Sequence, residues 1–198
     1  TSLANIAFDA SRFSPGPFSN ISLSLNASGV LSIDASNGQS IFANASSVDL
    51  TGDTIVLVAG APYIITFNSN AAPNFTAGAG GIQGANVGLA GNNITLTSGG
   101  DISIGSINNY IFTQGGTINS TVNAAGAFTS PGNVSVSDLI AGTSINIGGQ
   151  FLGSTITAGT TIDVPGRLAA FPTVTAGGNR PPGPGPVPPS NAPNATLT

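Results

Sequence analysis

Apolar and polar residues alternate in short runs along most of the chain, and Gly, Asn, Ser or Asp bound each run. Alternation with a period of two is typical of β-strands, and no segment carries the apolar spacing of an amphipathic helix. The pattern predicts an all-β chain of many short strands. Clear examples are Ile21-x-Leu23-x-Leu25, Val48-x-Leu50, Ile55-x-Leu57, Val87-x-Leu89, Ile94-x-Leu96, Ile102-x-Ile104, Val134-x-Val136, Ile145-x-Ile147 and Ile162-x-Val164.

A near-repeat late in the chain indicates how these strands are arranged. The segment AGTSINI at 141–147 returns seventeen positions later as AGTTIDV at 158–164, and the same offset carries Phe151 onto Leu168. A turn-strand-turn unit that recurs at such a spacing is typical of β-solenoids, in which each coil buries its apolar face only against its neighbours. We therefore predict a parallel β-helix.

The spacing of apolar residues in the later coils is uneven, which predicts coils of unequal length. Paired glycines such as Gly99-Gly100 and Gly148-Gly149 are expected at the corners, because tight bends need positive φ or a close backbone approach. Following one face from coil to coil predicts an inward column made of Val87, Ile102, Ile118, Val134, Ile145 and Ile162.

The strand pattern is absent at both ends of the chain, which predicts three regions. Residues 1–20 are expected to form an N-terminal cap or docking strand, residues 21–178 the solenoid, and residues 179–198 a Pro-rich linker or tail of polyproline type. Within the solenoid, the Ala- and Gly-rich residues 59–86 are expected to form a bulged corner or a lateral loop.

The composition excludes several classes of partner. Only 5% of the residues are charged, the net charge is −4, and the three cations are all arginines. Nucleic acids and anionic membranes require a basic surface that this chain lacks. No apolar run reaches the ~20 residues of a transmembrane helix. Without cysteine the chain has no disulfide and no thiolate ligand for a metal.

The acidic residues do not suggest an active site. Without His, Lys, Cys or Glu, general bases are limited to aspartate and tyrosine, whereas glycoside cleavage requires two placed carboxylates. We therefore expect no catalytic residue, no cofactor, no metal site and no enzymatic activity. The aspartates are Asp9, Asp34, Asp49, Asp53, Asp101, Asp138 and Asp163.

Alternation places Asp34, Asp49 and Asp163 on the outer surface, opposite their apolar neighbours. Solvated carboxylates are the simpler interpretation. The alternative is that Asp34 and Asp49 lie one coil apart and stack into a step that binds Ca²⁺ or a sugar.

Sequons for N-glycosylation recur along the chain. A composition rich in Asn, Ser and Thr produces some by accident, but glycans would also solubilise a rod with so little charge. For Asn93 and Asn133, stacked amides along the rod are the structural alternative. The candidate sites are Asn20, Asn26, Asn44, Asn74, Asn93, Asn119, Asn133 and Asn194.

The segment GDISIG at 100–105 and the two AGT segments resemble large secreted bacterial exoproteins of the filamentous-haemagglutinin type, over roughly residues 20–178. That resemblance implies a right-handed parallel β-helix, an extracellular or cell-surface location, and a role in adhesion or filament building. The chain departs from the family in its short length and its Pro-rich tail, and in having no recognisable N-terminal secretion domain. A secretion signal is expected to have been removed or to lie outside this segment.

These observations favour a structural role, as the subunit of a self-assembling surface filament or as the stalk segment of an adhesin. The alternative is a glycan-binding module on a β-helix scaffold, and a polysaccharide-cleaving enzyme is a distant third. We expect association end to end, because the terminal coils of a solenoid have unpaired edges and few charges lie near them here. Residues Leu3–Phe8 are the expected docking strand.

Overall fold

The chain is described from a computed structural model, which covers residues 4–9, 21–34, 45–59, 62–67, 72–108, 119–169, 172–177 and 195–196. This part of the chain is all-β and contains no helix. Its strands are Ile6–Asp9 (β1), Ile21–Asn26 (β2), Val30–Asp34 (β3), Ala45–Val58 (β4), Tyr63–Thr66 (β5), Asn74–Ala90 (β6), Thr95–Ser98 (β7), Ile102–Asn108 (β8), Thr121–Ala124 (β9), Phe128–Ser130 (β10), Val134–Ser135 (β11), Asp138–Ala141 (β12), Ser144–Ile147 (β13), Phe151–Leu152 (β14), Thr155–Ala158 (β15), Thr161–Asp163 (β16), Leu168–Ala169 (β17), Thr173–Ala176 (β18) and Ala195–Thr196 (β19).

Parallel pairing stacks these strands into a β-solenoid, as the sequence predicts, and the strands form three faces. Face 1 consists of β2, the first part of β4, the first part of β6, β7, β9, β12, β15 and β18. Face 2 consists of β1, β3, the second part of β4, the middle of β6, the first part of β8, β10, β13, β16 and β19. Face 3 consists of β5, the ends of β6 and β8, β11, β14 and β17.

Each face sends a column of apolar side chains into the interior, one from each coil. Most of them are fully buried, and the few at the ends of the rod are partly exposed. The face 1 column is Leu25, Leu50, Phe75, Leu96, Val122, Leu139, Ile156 and Val174. The face 2 column is Ile6, Leu31, Ile55, Ile82, Ile102, Phe128, Ile145 and Ile162. The face 3 column is Ile65, Leu89, Ile107, Val134, Phe151 and Leu168.

The seventeen-residue offset is confirmed in the late coils. Ile145 pairs with Ile162 in register, and Phe151 pairs with Leu168. Earlier coils are longer, since Leu31 pairs with Ile55. The unequal coil lengths predicted from the sequence are therefore present.

The single inward column read from the sequence is partly wrong. Ile102, Ile145 and Ile162 share face 2 and are linked through Phe128, which that reading omitted. Val87 and Val134 belong to face 3. Ile118 lies outside the described residues. The error arises because corners of different length change the face that a given spacing reaches.

Of the two alternatives predicted for residues 59–86, a bulged corner and a lateral loop, the bulged corner is the one found at residues 74–86, where the pairing of β6 with β8 shifts register between Gly84 and Gly88. Residues 74–86 belong to β6, which crosses all three faces and pairs with β4, β5, β7 and β8. Its glycines permit the bends between faces. Gly81 has φ 80°, a left-handed conformation that favours glycine. The glycine content that suggested irregular chain is what lets one strand turn two corners.

The corner between faces 1 and 2 is built from very small residues in register. Because the two sheets converge there, a larger side chain would meet the backbone of the neighbouring coil. The inner column of this corner is Gly52, Ala77, Ser98, Ala124, Ala141, Ala158 and Ala176.

Both terminal regions contribute strands to the rod. Ile6–Asp9 pairs in register with Leu31–Asp34 of the same chain, and Ala195–Thr196 pairs with Ile162 and Asp163. The strand that the sequence assigned to docking on a neighbour is therefore already paired within its own chain.

Candidate functional site

The outer surface of face 1 is the most regular surface of the rod. Two parallel columns of mainly Thr and Asn side chains run along it. The first column is Ser24, Asp49, Asn74, Thr95, Thr121, Asp138, Thr155 and Thr173. The second column is Asn26, Thr51, Thr76, Thr97, Asn123, Ile140, Thr157 and Thr175. We refer to these two columns as the threonine face.

The threonine hydroxyls of this surface form no hydrogen bond with any other described residue, so they are available to solvent or to a ligand. In contrast, some serine hydroxyls that point inward or lie at corners accept hydrogen bonds from the backbone. The Ser98 hydroxyl accepts a hydrogen bond from the Gly100 backbone N–H at 3.0 Å, and the Ser120 hydroxyl accepts one from the Ile94 N–H at 2.9 Å. Two buried hydroxyls are thus satisfied internally, whereas the buried Ser135 Oγ has no hydrogen-bond partner among the described residues.

The coil of β12 interrupts the threonines between β9 and β15. It places Asp138 in the first column and Ile140, 43% exposed, in the second. The Ser137 hydroxyl lies 3.1 Å from Asp138 Oδ2 and 2.9 Å from the Ser120 carbonyl oxygen, at the edge of the face. The coils on either side carry threonine, at Thr121 and at Thr155 and Thr157.

The sequence signal for this surface is the motif Thr-x-Thr, at Thr95-x-Thr97, Thr155-x-Thr157 and Thr173-x-Thr175. The sequence analysis followed the apolar residue between the two threonines and missed the outer pair. The outer column of face 2 lacks such regularity, since it consists of Ser32, Val56, Gln83, Ser103, Thr129, Asn146 and Asp163.

A shallow, mainly apolar recess lies where faces 2 and 3 meet. Pro62, Ile64, Gly88, Gly105 and Pro131 contribute to its lining, and Ile64 is 50% exposed. The recess has neither a charged side chain nor a set of convergent polar groups. It therefore lacks the features of a polar ligand site.

The aspartates are distributed over the rod. Asp34, Asp49 and Asp163 are exposed, as alternation predicts. The proposed step of Asp34 and Asp49 is wrong, because Asp34 lies on face 2 in register with Asp9 and Val58, whereas Asp49 lies on face 1 in register with Ser24 and Asn74. The coil between them is longer than the prediction assumed.

Some Asn and Asp side chains connect successive coils through the backbone. The side-chain oxygens Oδ1 of Asn5, Asp101 and Asn133 accept hydrogen bonds from the backbone N–H groups of Val30, Ala127 and Gln150, at 2.8, 2.8 and 2.9 Å. Each bond satisfies a corner N–H that lies outside the strand ladder. These residues were not recognised in the sequence analysis as links between coils.

The sequon asparagines occupy different environments. Asn26, Asn119 and Asn133 are exposed, and Asn74 and Asn93 are half-buried. Asn20, Asn44 and Asn194 lie outside the described residues. The matching of Asn93 with Asn133 is wrong, because Asn93 precedes face 1 with φ 55° whereas Asn133 precedes face 3. Glycosylation of the exposed sites Asn26, Asn119 and Asn133 stays a prediction.

Across the part of the chain that the structure describes, no group of three or more His, Cys, Asp or Glu side chains is placed to hold a metal ion. We expect sheet-dominated circular dichroism and a thermal transition that neither EDTA nor a reducing agent alters, since backbone ladders and an aliphatic core account for the fold. A transition that EDTA lowers would show that the fold depends on a metal.

At both ends of the rod, some strands pair along one edge only with other described strands. They are β1 and β2 at one end, and β17, β18 and β19 at the other. Edges of this kind accept further strands unless they are covered or charged.

Within the described ranges, no helix is long and apolar enough to cross a membrane. Comparison of the chain with protein-family models, with curated proteins and with solved structures gives no match. The solenoid architecture therefore rests on the strand pairings themselves. The likeness to filamentous-haemagglutinin-type exoproteins stays a prediction from the sequence.

Proposed function

We propose that the chain is a non-enzymatic structural segment of an extracellular or cell-surface assembly, which extends by end-to-end contact as a filament subunit or as part of an adhesin stalk. The observation that carries this proposal is that parallel strands at both ends of the rod pair on one edge only with described strands, β1 and β2 at one end and β17, β18 and β19 at the other. A head-to-tail contact would continue the ladders of faces 1 and 2 with the strand direction unchanged.

Such a contact joins two different surfaces, so it does not close on itself and it propagates into a fibre. Main-chain hydrogen bonds across the junction would supply affinity in the way that added strands do in β-augmentation. Because Ile6–Asp9 is used inside its own chain, the contact need not involve a free arm. The adhesin or filament role is supported by this geometry and by the low charge of the chain, 5% of residues.

The experiment blocks the free edge of β18 by removing one backbone N–H donor. In β18 the N–H of Thr173 and that of Gly177 bond to the preceding coil, at Ser154 and Ala158. Successive residues of a strand direct their N–H groups to opposite edges, so the N–H of Ala176 points to the free side. Ala176→Pro removes that donor, and proline is tolerated on an edge strand.

We expect wild-type protein to form ordered fibres by negative-stain microscopy and concentration-dependent oligomers by sedimentation. Ala176→Pro is expected to sediment as a monomer, and circular dichroism checks that it keeps the sheet-dominated spectrum of wild type. The matched control Ala176→Ser keeps the N–H and should assemble like wild type. Wild-type protein that stays monomeric at all concentrations would overturn the proposal, as would Ala176→Pro fibres identical to those of wild type.

A further inference from the structure

The threonine face is a two-dimensional lattice of hydroxyl and methyl groups. Parallel in-register pairing repeats each column once per coil, at about 4.8 Å, and the two columns lie two residues apart along each strand, at about 6.6 Å. The flanking positions inside the rod are buried aliphatic side chains, for example Leu96 and Ile156. The core therefore holds the lattice rigidly.

These two repeats are comparable to the repeats of oxygen atoms along the a and c axes of hexagonal ice. Regularly placed hydroxyls can form hydrogen bonds with ordered water. The methyl group beside each hydroxyl forms no hydrogen bond, so the water molecules next to it bond to one another and surround it. We propose that the threonine face binds ice, through an ordered water layer anchored on the hydroxyls of residues such as Thr95, Thr97, Thr155 and Thr157.

The low charge and the rigidity of the threonine face support ice as its ligand. Only Asp49 and Asp138 carry charge among the residues of the two columns. A strongly hydrated ion would hold water in its own geometry and disturb a lattice, so a mainly uncharged face suits a crystal surface. The hydroxyls need no ordering on binding, because β-branched threonine has few rotamers and its backbone is fixed by pairing on both sides.

Other occupants fit this surface less well. The two columns cover eight coils, a strip of about 35 Å by 10 Å at the usual strand spacing, which is well below the ~800 Å² that each partner buries in a stable protein complex. The strip has no aromatic side chain, whereas flat stacking on sugar rings relies on aromatic faces. A crystal repeats the same small contact many times, so it needs neither a large contact area nor aromatic side chains to bind.

The test measures ice growth in the presence of the purified, folded chain. Wild type is expected to shape ice crystals, to produce thermal hysteresis and to inhibit recrystallisation. Thr97→Lys places a long charged side chain between Thr76 and Asn123 and should abolish these effects. The matched control Thr129→Lys lies on the exposed outer surface of face 2 and should leave them unchanged. Circular dichroism checks that both variants are folded.

A second variant repairs the interrupted coil. Asp138→Thr together with Ile140→Thr creates a further Thr-x-Thr unit in register with Thr155 and Thr157, and it should raise the thermal hysteresis above that of wild type. The proposal is overturned if folded wild type leaves ice growth unchanged, or if the face 1 and face 2 lysine variants behave alike. Retention on a polysaccharide column that Thr97→Lys abolishes, with no effect on ice, would overturn it in favour of a glycan-binding surface. None of these outcomes depends on fibre formation, so the proposed structural role is tested separately.

Discussion

Replacing Ile145 by aspartate is expected to unfold the late coils. Ile145 is 1% exposed and lies in the face 2 column between Phe128 and Ile162, with no polar side chain to pair with a carboxylate. Burying an unpaired charge costs several kcal/mol, a large fraction of the about 5–15 kcal/mol that stabilises an ordinary domain. In a solenoid the loss also removes the surface on which neighbouring coils pack. The measurement is thermal and denaturant unfolding followed by circular dichroism.

Three control variants separate charge, volume and position. Ile145→Val removes one methylene and should cost about 0.5–1.5 kcal/mol. Thr129→Asp adds the same charge on the exposed side of face 2, and Asp163→Asn removes an exposed one; both should unfold almost like wild type. If Ile145→Asp unfolded at the same denaturant concentration as Thr129→Asp, the assignment of inward and outward faces would be wrong.

Replacing Gly159 by alanine is expected to destabilise the rod although only a methyl group is added. Gly159 follows Ala158 at the corner between faces 1 and 2, and a Cβ there would collide with the backbone carbonyl oxygen of Gly142 in the preceding coil. The same relation holds between Gly142 and Ala125, and between Gly177 and Gly159. Backbone cannot rotate away as a side chain can, so the two coils must separate locally.

We expect Gly159→Ala to lower the free energy of unfolding by about 1–3 kcal/mol, the usual cost of overpacking. Gly88→Ala is the matched control, because the nearest atom to its Cβ is the Ser106 hydroxyl oxygen, which can rotate to another position. That variant should unfold within about 1 kcal/mol of wild type. Equal destabilisation by both substitutions would show that backbone contact between coils does not determine the cost.

Local and nearest-neighbour features of the fold were predictable. The period-two alternation identified strands such as Ile102–Asn108 and Ser144–Ile147, and the near-repeat identified the pairing of Ile145 with Ile162. Both follow from rules that involve a few adjacent residues, or the same position in the next coil. They hold wherever the coil length is constant.

Assignments that depend on the path between strands were less reliable. For residues 74–86 the sequence left a bulged corner and a lateral loop both open, because glycine is common both in irregular chain and at the bends of a continuous strand such as β6. The threonine face was overlooked because most of its outward residues are neither apolar nor charged. Thr95 and Thr121 become neighbours only through a coil of twenty-six residues that the sequence does not mark.

By itself the sequence determined that this chain forms strands, that the late coils repeat, and that few charged residues and no cysteine are present to stabilise it. These conclusions follow from composition and from short-range periodicity. Only the tertiary structure decided which residues share a face, because corners of unequal length set the register between coils. Register in turn aligns the outer threonines in columns, places Asp34 and Asp49 on different faces, and leaves β1, β2, β17, β18 and β19 as the last described strands at the two ends of the rod.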